Sequence, residues 1–199
     1  MTKITIELDL DLDNVTDGKS LDNLNKVITN KLAEVDKQIG EAMSLVGTKI
    51  FKLAFDNVPA LKAIAWNQYT PYFNDGDECV FCVNDPAFIR EIDEEDFEQL
   101  LDGEYYENLE SVRTIYNGWR IENLLTKPTD ELTDWDRKYI EDYRSATAEQ
   151  HAILSALENW MTGSGQDSLK RTYGDHSSIV IYRNEDGELE TVRNEYDHE

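Results

Sequence analysis

Cys79 and Cys82 form a C-x-x-C pair, and Asn74, Asp75, Asp77 and Glu78 gather amide and carboxylate oxygens just before it. Thiolates at that spacing suit zinc or redox chemistry, and clustered oxygens suit Ca²⁺ or Mg²⁺. Both readings meet obstacles. Positions three apart in a strand point to opposite faces, and the sequence has no second cysteine pair or paired-histidine motif to complete a zinc site. The cysteines therefore read first as buried structural residues. Asn74-Asp75-Gly76 is also what a tight turn requires, with glycine supplying positive φ, and the EF-hand pattern is absent. Turn chemistry comes first, and an ion site at Asn74, Asp75, Asp77 and Glu78 is the secondary reading. Tyr69, Tyr72 and Phe73 flank Pro71. Aromatic groups on a proline-stiffened loop serve as anchors for a partner or as lids over a core, and both readings stay open. Asp175, His176, Ser177 and Ser178 supply acid, base and nucleophile types, but contiguous residues in an extended chain do not converge as a triad does. No G-x-S-x-G, phosphate-cradling glycine loop, H-E-x-x-H or dinucleotide fingerprint is present. Neither an enzymatic activity nor a cofactor is expected.

Charge points toward binding instead. The 199 residues carry 42 acids against 19 bases, a net charge of −23, well beyond the magnitude of about 2–8 that keeps a small domain soluble. Such a field repels nucleic acid and anionic membrane and attracts basic surfaces, including those of nucleic-acid-binding proteins. Lysines (11) outnumber arginines (8), which argues against adaptation to high salt as the cause. The charge is uneven: residues 1–18 carry −4, residues 19–62 carry +2 and residues 63–199 carry −21. Residues 85–111 hold eleven acids and Arg90 as the single base. The expected partner-binding residues are Asp93, Glu94, Glu95, Asp96, Glu98, Asp102 and Glu104, then Asp130, Glu131, Asp134 and Asp136, with Tyr72 and Phe73 as aromatic anchors. The expected partner is a protein with a basic surface, with no direct nucleic-acid or membrane contact. No secretory leader or membrane-length apolar run is visible, so a cytoplasmic protein without a disulfide framework is expected.

At 40% apolar residues the chain can bury a sizeable core. Ile4, Ile6, Leu8, Leu10 and Leu12 alternate with polar residues, predicting a strand over 4–12. Ser20 is an expected N-cap. From Leu21 to Leu53 apolar residues step by three or four, about 3.6 per step, predicting a straight amphipathic helix over 21–55 rather than a heptad supercoil. A helix that long must break, with Gly40 and Gly47 as weak points, overhang the body, or pair with another copy as a homo-oligomer. Pro59 ends it. Strands are predicted over 61–69, 79–83 and 87–92 as an antiparallel meander around a 70–78 loop, with a short helix over 93–101. Leu109, Val112, Tyr116 and Trp119 predict a further helix ended by Pro128. Thr129 or Asp130 is expected to cap the helix bearing Leu132, Trp135, Tyr139 and Tyr143. Another helix spans 148–161, and 178–183 with 189–196 predict a hairpin across Asn184-Glu185-Asp186-Gly187.

The run Trp66-x-Gln68-Tyr69-Thr70-Pro71-Tyr72-Phe73-Asn74-Asp75-Gly76-Asp77, with Cys79 and Phe81 after it, resembles a recurrent block in proteins of bacterial and bacteriophage genomes. Tyr196-Asp197-His198 is similar to the tail of the same proteins. The match covers only the hairpin and these terminal residues. No activity is established for that family, so the resemblance carries over no catalytic role. It implies a reusable module and a phage or prophage origin, and thus a host-cell cytoplasm. The expected fold is α+β: a single domain with an antiparallel sheet of about five strands, a long N-terminal helix and several covering helices. The expected function is that of a non-enzymatic acidic protein, a phage-type inhibitor that mimics nucleic-acid charge. The alternative is a structural protein assembling through helix 21–55.

Overall fold

The computed structural model describes residues 18–196 apart from positions 74, 75, 77, 85 and 117. The strand predicted over 4–12, the oxygens of Asn74, Asp75 and Asp77, and the Asp197-His198 tail lie outside the described residues. The fold is α+β. A long helix α1 (Gly18–Asn57) is followed by strands β1 (Ala63–Tyr69), β2 (Cys82–Val83) and β3 (Ala87–Glu91), then helix α2 (Glu94–Leu101). A 3₁₀ turn at Tyr106–Asn108 leads into β4 (Arg113–Tyr116), and helices α3 (Gly118–Thr126), α4 (Asp134–Ser145), α5 (Ala148–Met161) and α6 (Gln166–Tyr173) follow. The hairpin β5 (Ser177–Arg183) and β6 (Leu189–Glu195) closes the chain. The sheet order is β4-β3-β1-β5-β6, every pairing antiparallel. No helix among the described residues is long and apolar enough to cross a membrane.

The expected meander is corrected. β2 pairs with Gln68 and Tyr69, while β3 pairs with Ala63, Ile64 and Ala65, all along the same edge of β1. The two are one interrupted partner strand, with Pro86, which has no N–H to donate, at the interruption. β5 takes the whole opposite edge of β1, from Ala63 to Gln68. Every residue of β1 is buried, so β1 is the central strand.

The two faces of the sheet carry different cores. On the first, Ile64, Trp66, Phe88, Ile179 and Ile181 meet Phe51, Ala54 and Phe55 of α1, Leu154, Leu157 and Met161 of α5, and Leu169 of α6. Trp66 stacks on Phe51 at 5.5 Å, and Trp160 meets Phe51 edge-on at 6.0 Å. A Cβ at Gly165 would stand 2.4 Å from the Trp160 ring, so only glycine lets the α5–α6 turn close over that indole. On the second face the sheet offers the small side chains Ala63, Ala65 and Ala87, which let Leu100 of α2 and Tyr106, Leu109 and Val112 approach.

Two helix expectations are corrected. Leu109 and Val112 belong to the second core, whereas Ile115 and Tyr116 belong to the first. The chain crosses from one face to the other as β4, and the helical spacing of these residues is coincidental. Thr129–Glu131 forms a 3₁₀ turn; α4 is capped by Thr133, whose hydroxyl accepts from the Asp136 N–H while the Asp136 carboxylate accepts from the Thr133 N–H. α1 already includes Gly18, so Ser20 lies inside it, and α1 runs unbroken through Gly40 and Gly47. Its 40 residues span about 60 Å.

Candidate functional site

The run of acids that the sequence singles out falls on α2 and the turn after it. Asp93 is the N-cap, its carboxylate accepting from the Asp96 N–H at 2.9 Å. The Asp96 carboxylate accepts from the Ser111 N–H at 2.7 Å, and the Asp93 N–H donates to the Ser111 hydroxyl. These two acids hold the helix to its neighbouring loop. Glu104 accepts from Asn108. Glu94, Glu95, Glu98 and Asp102 are exposed and make no ion pair among the described residues, and the same holds for Glu110. Glu98 and Asp102 occupy the end of the helix where the backbone dipole is negative, a position that disfavours acid. Like charges four apart also oppose one another. Glu94 and Glu95 stand in the first turn, where the dipole favours acid, so it is Glu98 and Asp102 that the needs of the helix do not place there.

The second expected run divides the same way. Asp136 is buried in its capping box and pairs with Lys127 at 3.4 Å, so its carboxyl sits below the usual carboxylate range, first through the Thr133 backbone N–H and hydroxyl. Asp130, Glu131 and Asp134 are exposed. α4 itself is fixed by Asp142, whose carboxylate is 3% exposed. It accepts from Arg90 at 3.1 Å and from Arg113 through both Nε, at 2.8 Å, and Nη2. α4 packs toward the first core through Tyr143, whereas α2 covers the second. The two acid runs thus belong to different layers and do not form one helix face.

The Trp66–Asp77 block builds a junction. The Trp66 indole N–H donates to Gln68 Oε1 at 3.0 Å, and the buried Gln68 amide donates to the carbonyls of Leu169 and Gly174. Gly174 ends α6 at φ 86°, a left-handed conformation suited to glycine. Next door, Asp175 Oδ1 accepts from the Thr70 N–H at 2.7 Å and Oδ2 from the Thr70 hydroxyl at 2.6 Å, with Lys170 Nζ at 2.9 Å. Burial raises the Asp175 pKa, but Thr70 and Lys170 outweigh it and hold the carboxyl at about 2. Lys170 also lies over the Phe81 ring at 4.9 Å. The base of the 70–81 loop is thereby tied to α6 and β5. From it Tyr72 and Phe73 project, 68% and 77% exposed, with Tyr72 stacked on His176 at 4.6 Å. The lid reading is set aside for these two, while Tyr69 is buried against Tyr196.

Asp175, His176 and Ser177 do not converge as a triad. His176 Nε2 stands 3.9 Å from Asp175, and the Ser177 hydroxyl is engaged with the Tyr173 and Asp175 carbonyls and with Arg193. Cys79 lies outside β2, and Cys82 donates its thiol to the Tyr69 carbonyl at 3.4 Å. Burial pushes the Cys82 thiol up, away from the thiolate that metal or redox chemistry uses. No cluster of three or more metal-ligating side chains occurs among the described residues.

Sequence reading missed a cleft of about 810 Å³ between the end of α1 and the start of α2. Phe55, Leu61, Ile92 and Phe97 form its apolar wall, and Asp56, Lys62, Asp93, Glu94 and Arg183 its charged rim. Arg183 is committed to Asp56 at 3.2 Å. These residues come from three stretches distant in sequence, so no local pattern announces them. No protein-family model matches the chain, and comparison with curated proteins and with solved structures likewise finds no match.

Proposed function

We propose that this protein acts by binding: α2 and the turn after it occupy the basic surface of a partner protein, presenting carboxylates where a nucleic acid would present phosphates. The observation that carries this is the exposed row Glu94, Glu98 and Asp102, without ion pairs among the described residues and flanked by Glu95 and Glu110, whose last two members stand where the helix dipole disfavours acid. Successive members of the row are about 6 Å apart along the helix axis. Asn194 donates to the Leu101 carbonyl, which brings the end of α2 toward the end of the sheet where Tyr196 packs on Tyr69. Tyr72 and Phe73 leave from that same end and supply apolar anchors beside the charge. The resemblance of the Trp66–Asp77 block to proteins of bacterial and bacteriophage genomes carries no activity of its own but is in keeping with a phage or prophage origin, from which the target of a phage-type inhibitor would be a host nucleic-acid-binding protein.

The test is capture from a bacterial lysate on immobilised protein at about 50 mM and about 500 mM salt, with duplex DNA as competitor. The reading expects a captured protein that high salt releases and DNA displaces, and weaker capture by the triple variant Glu94→Gln, Glu95→Gln, Glu98→Gln. Binding that is equal at both salt concentrations and indifferent to DNA overturns it.

A further inference from the structure

The sheet ends on one side in β4, against which α4 packs, and on the other in β6, which among the described residues pairs with β5 alone. The Asn184 N–H donates to the Glu188 carbonyl, and the Tyr196 N–H to that of His176. The register between these two pairs is unbroken. Glu190, Val192 and Asn194 therefore exchange their backbone bonds with β5, while Leu189, Thr191, Arg193 and Glu195 turn N–H and C=O outward. No hydrogen bond reaches those outward groups among the described residues. β6 also has neither the proline nor the bulge with which an edge is commonly blunted. α2 crosses this hairpin on the second face. Its start shares a cleft with Arg183 and Asn184 at the turn end, Phe97 meets Tyr182 edge-on at 5.3 Å, and the Leu101 carbonyl accepts from Asn194. Asp96, tied to Ser111, marks the flank of α2 away from the hairpin. At about 100° per residue, Glu94 and Glu98 fall on the opposite flank, beside Phe97 and Leu101, and both are exposed.

We propose that a basic, extended segment of the partner protein adds to β6 as a further strand, with lysine or arginine at every second position turned toward Glu94, Glu98 and Asp102. This rests on the basic-surface reading and deepens it by naming the form of the partner. The outward N–H and C=O groups of β6 supply affinity for any extended backbone. Charge selects which one. Residues 185–195 hold five acids against the single base Arg193, and residues 93–104 hold seven acids and no base. The Glu190 carboxylate on β6 accepts from Tyr182 and Asn184, both neutral donors, and so adds its charge to that field. A second copy would bring the same sign to the edge and be repelled, whereas a cationic strand is drawn in. Spacing agrees with charge. Side chains two apart on a strand project from one face at intervals of about 6.6–6.8 Å, and Glu94, Glu98 and Asp102 follow one another at about 6 Å along the α2 axis. Three alternate cations on the added strand thus keep step with three carboxylates on the helix.

Amide hydrogen exchange on the whole chain at about 50 mM salt tests this with two peptides, Thr-Lys-Val-Lys-Val-Lys-Thr and the same residues ordered Thr-Val-Lys-Lys-Lys-Val-Thr. The Thr191 and Arg193 amides are expected to exchange rapidly in the free protein and to slow about tenfold or more when the alternating peptide saturates it. The contiguous peptide is expected to bind several-fold more weakly, and Glu94→Gln, Glu98→Gln to weaken the alternating one about tenfold. An alternating peptide that leaves both amides unprotected overturns the proposal. So does protection already present in the free protein, whether it vanishes on removal of residues 1–17 or grows with protein concentration, since the edge then belongs to this chain's own first residues or to a second copy. Thr191→Pro removes one outward N–H and leaves the β5–β6 ladder bonded; Thr191→Val, which equally loses the hydroxyl contact with Tyr173, is its control. Capture from lysate is expected to fall about tenfold or more in Thr191→Pro relative to Thr191→Val. Capture that is equal in the two but still released by salt and DNA overturns the edge and leaves the basic-surface reading standing, whereas capture indifferent to salt and DNA removes that reading itself.

Discussion

Two populations of carboxylate share this molecule, and Asp142 and Glu98 stand for them. Asp142 is buried between Arg90 and Arg113 and pins α4 to β3 and the edge strand β4. Glu98 is exposed on α2 with no ion pair among the described residues. Asp93, Asp96, Asp136 and Asp175 side with Asp142, each committed to a cap, a loop tie or a lysine. Glu94, Glu95 and Asp102 side with Glu98. Total charge thus says little about which acids face a partner; hydrogen-bond accounting separates them.

The sharpest break in that division comes from Asp142→Ala, which leaves the Arg90 guanidinium with only Ser145 and that of Arg113 with only the exposed Glu91. It is expected to cost about 3–5 kcal/mol and to lower Tm by roughly 10 °C, read by thermal unfolding; a change of a degree or two would place Asp142 with the exposed acids. Asp175→Asn comes next. It keeps the shape but loses the charge facing Lys170 and Thr70, at about 1–2 kcal/mol after allowing for partial exposure. The same clamp gives a pH signature. The Asp175 pKa falls from its ordinary 3.8 to about 2 on folding, so its stabilisation is full above about pH 4 and disappears as pH falls through about 2. In Asp175→Asn that acid-side loss should be smaller than in the wild type. The least effect on stability is expected from Glu94→Gln, Glu95→Gln, Glu98→Gln, with Tm within about 3 °C of wild type while partner binding at low salt weakens about tenfold or more. A triple variant that unfolds early would move these acids into the structural group.

Where one element served one core, the sequence was legible. α5 spans the 148–161 run because Leu154, Leu157 and Met161 all face the first core and Thr147 with Gln150 forms a capping box. The 178–183 and 189–196 hairpin is found as β5 and β6 because its loop supplies Gly187 at φ 83° between two segments that pair from Ser177 and Glu195 to Arg183 and Leu189. Where a segment served two masters, pattern misled. Leu109 to Tyr116 splits between both cores, and the single 3.6-residue stripe of α1 includes Leu32, Ile39, Val46 and Leu53, which stay exposed while Phe51, Ala54 and Phe55 enter the first core. α6 went unread because its buried Ser168 is satisfied by the distant Met43 carbonyl, a contact no local spacing encodes. Of the candidate site, the acidic run was legible as composition, while the commitment of Asp93, Asp96 and Asp136 to caps and ties required the geometry.

The ties at the base of the 70–81 loop have a consequence for how this chain can change over generations. Thr70 is fastened to Asp175, Tyr69 is paired with Cys82, and Phe81 lies under Lys170. The core therefore ends at the loop's two feet, and Tyr72, Phe73 and Val80 beyond them stand open to solvent. Residues there can be exchanged without repacking the interior, which makes the loop an interchangeable tip on a fixed handle and lets recognition drift while the scaffold is inherited intact.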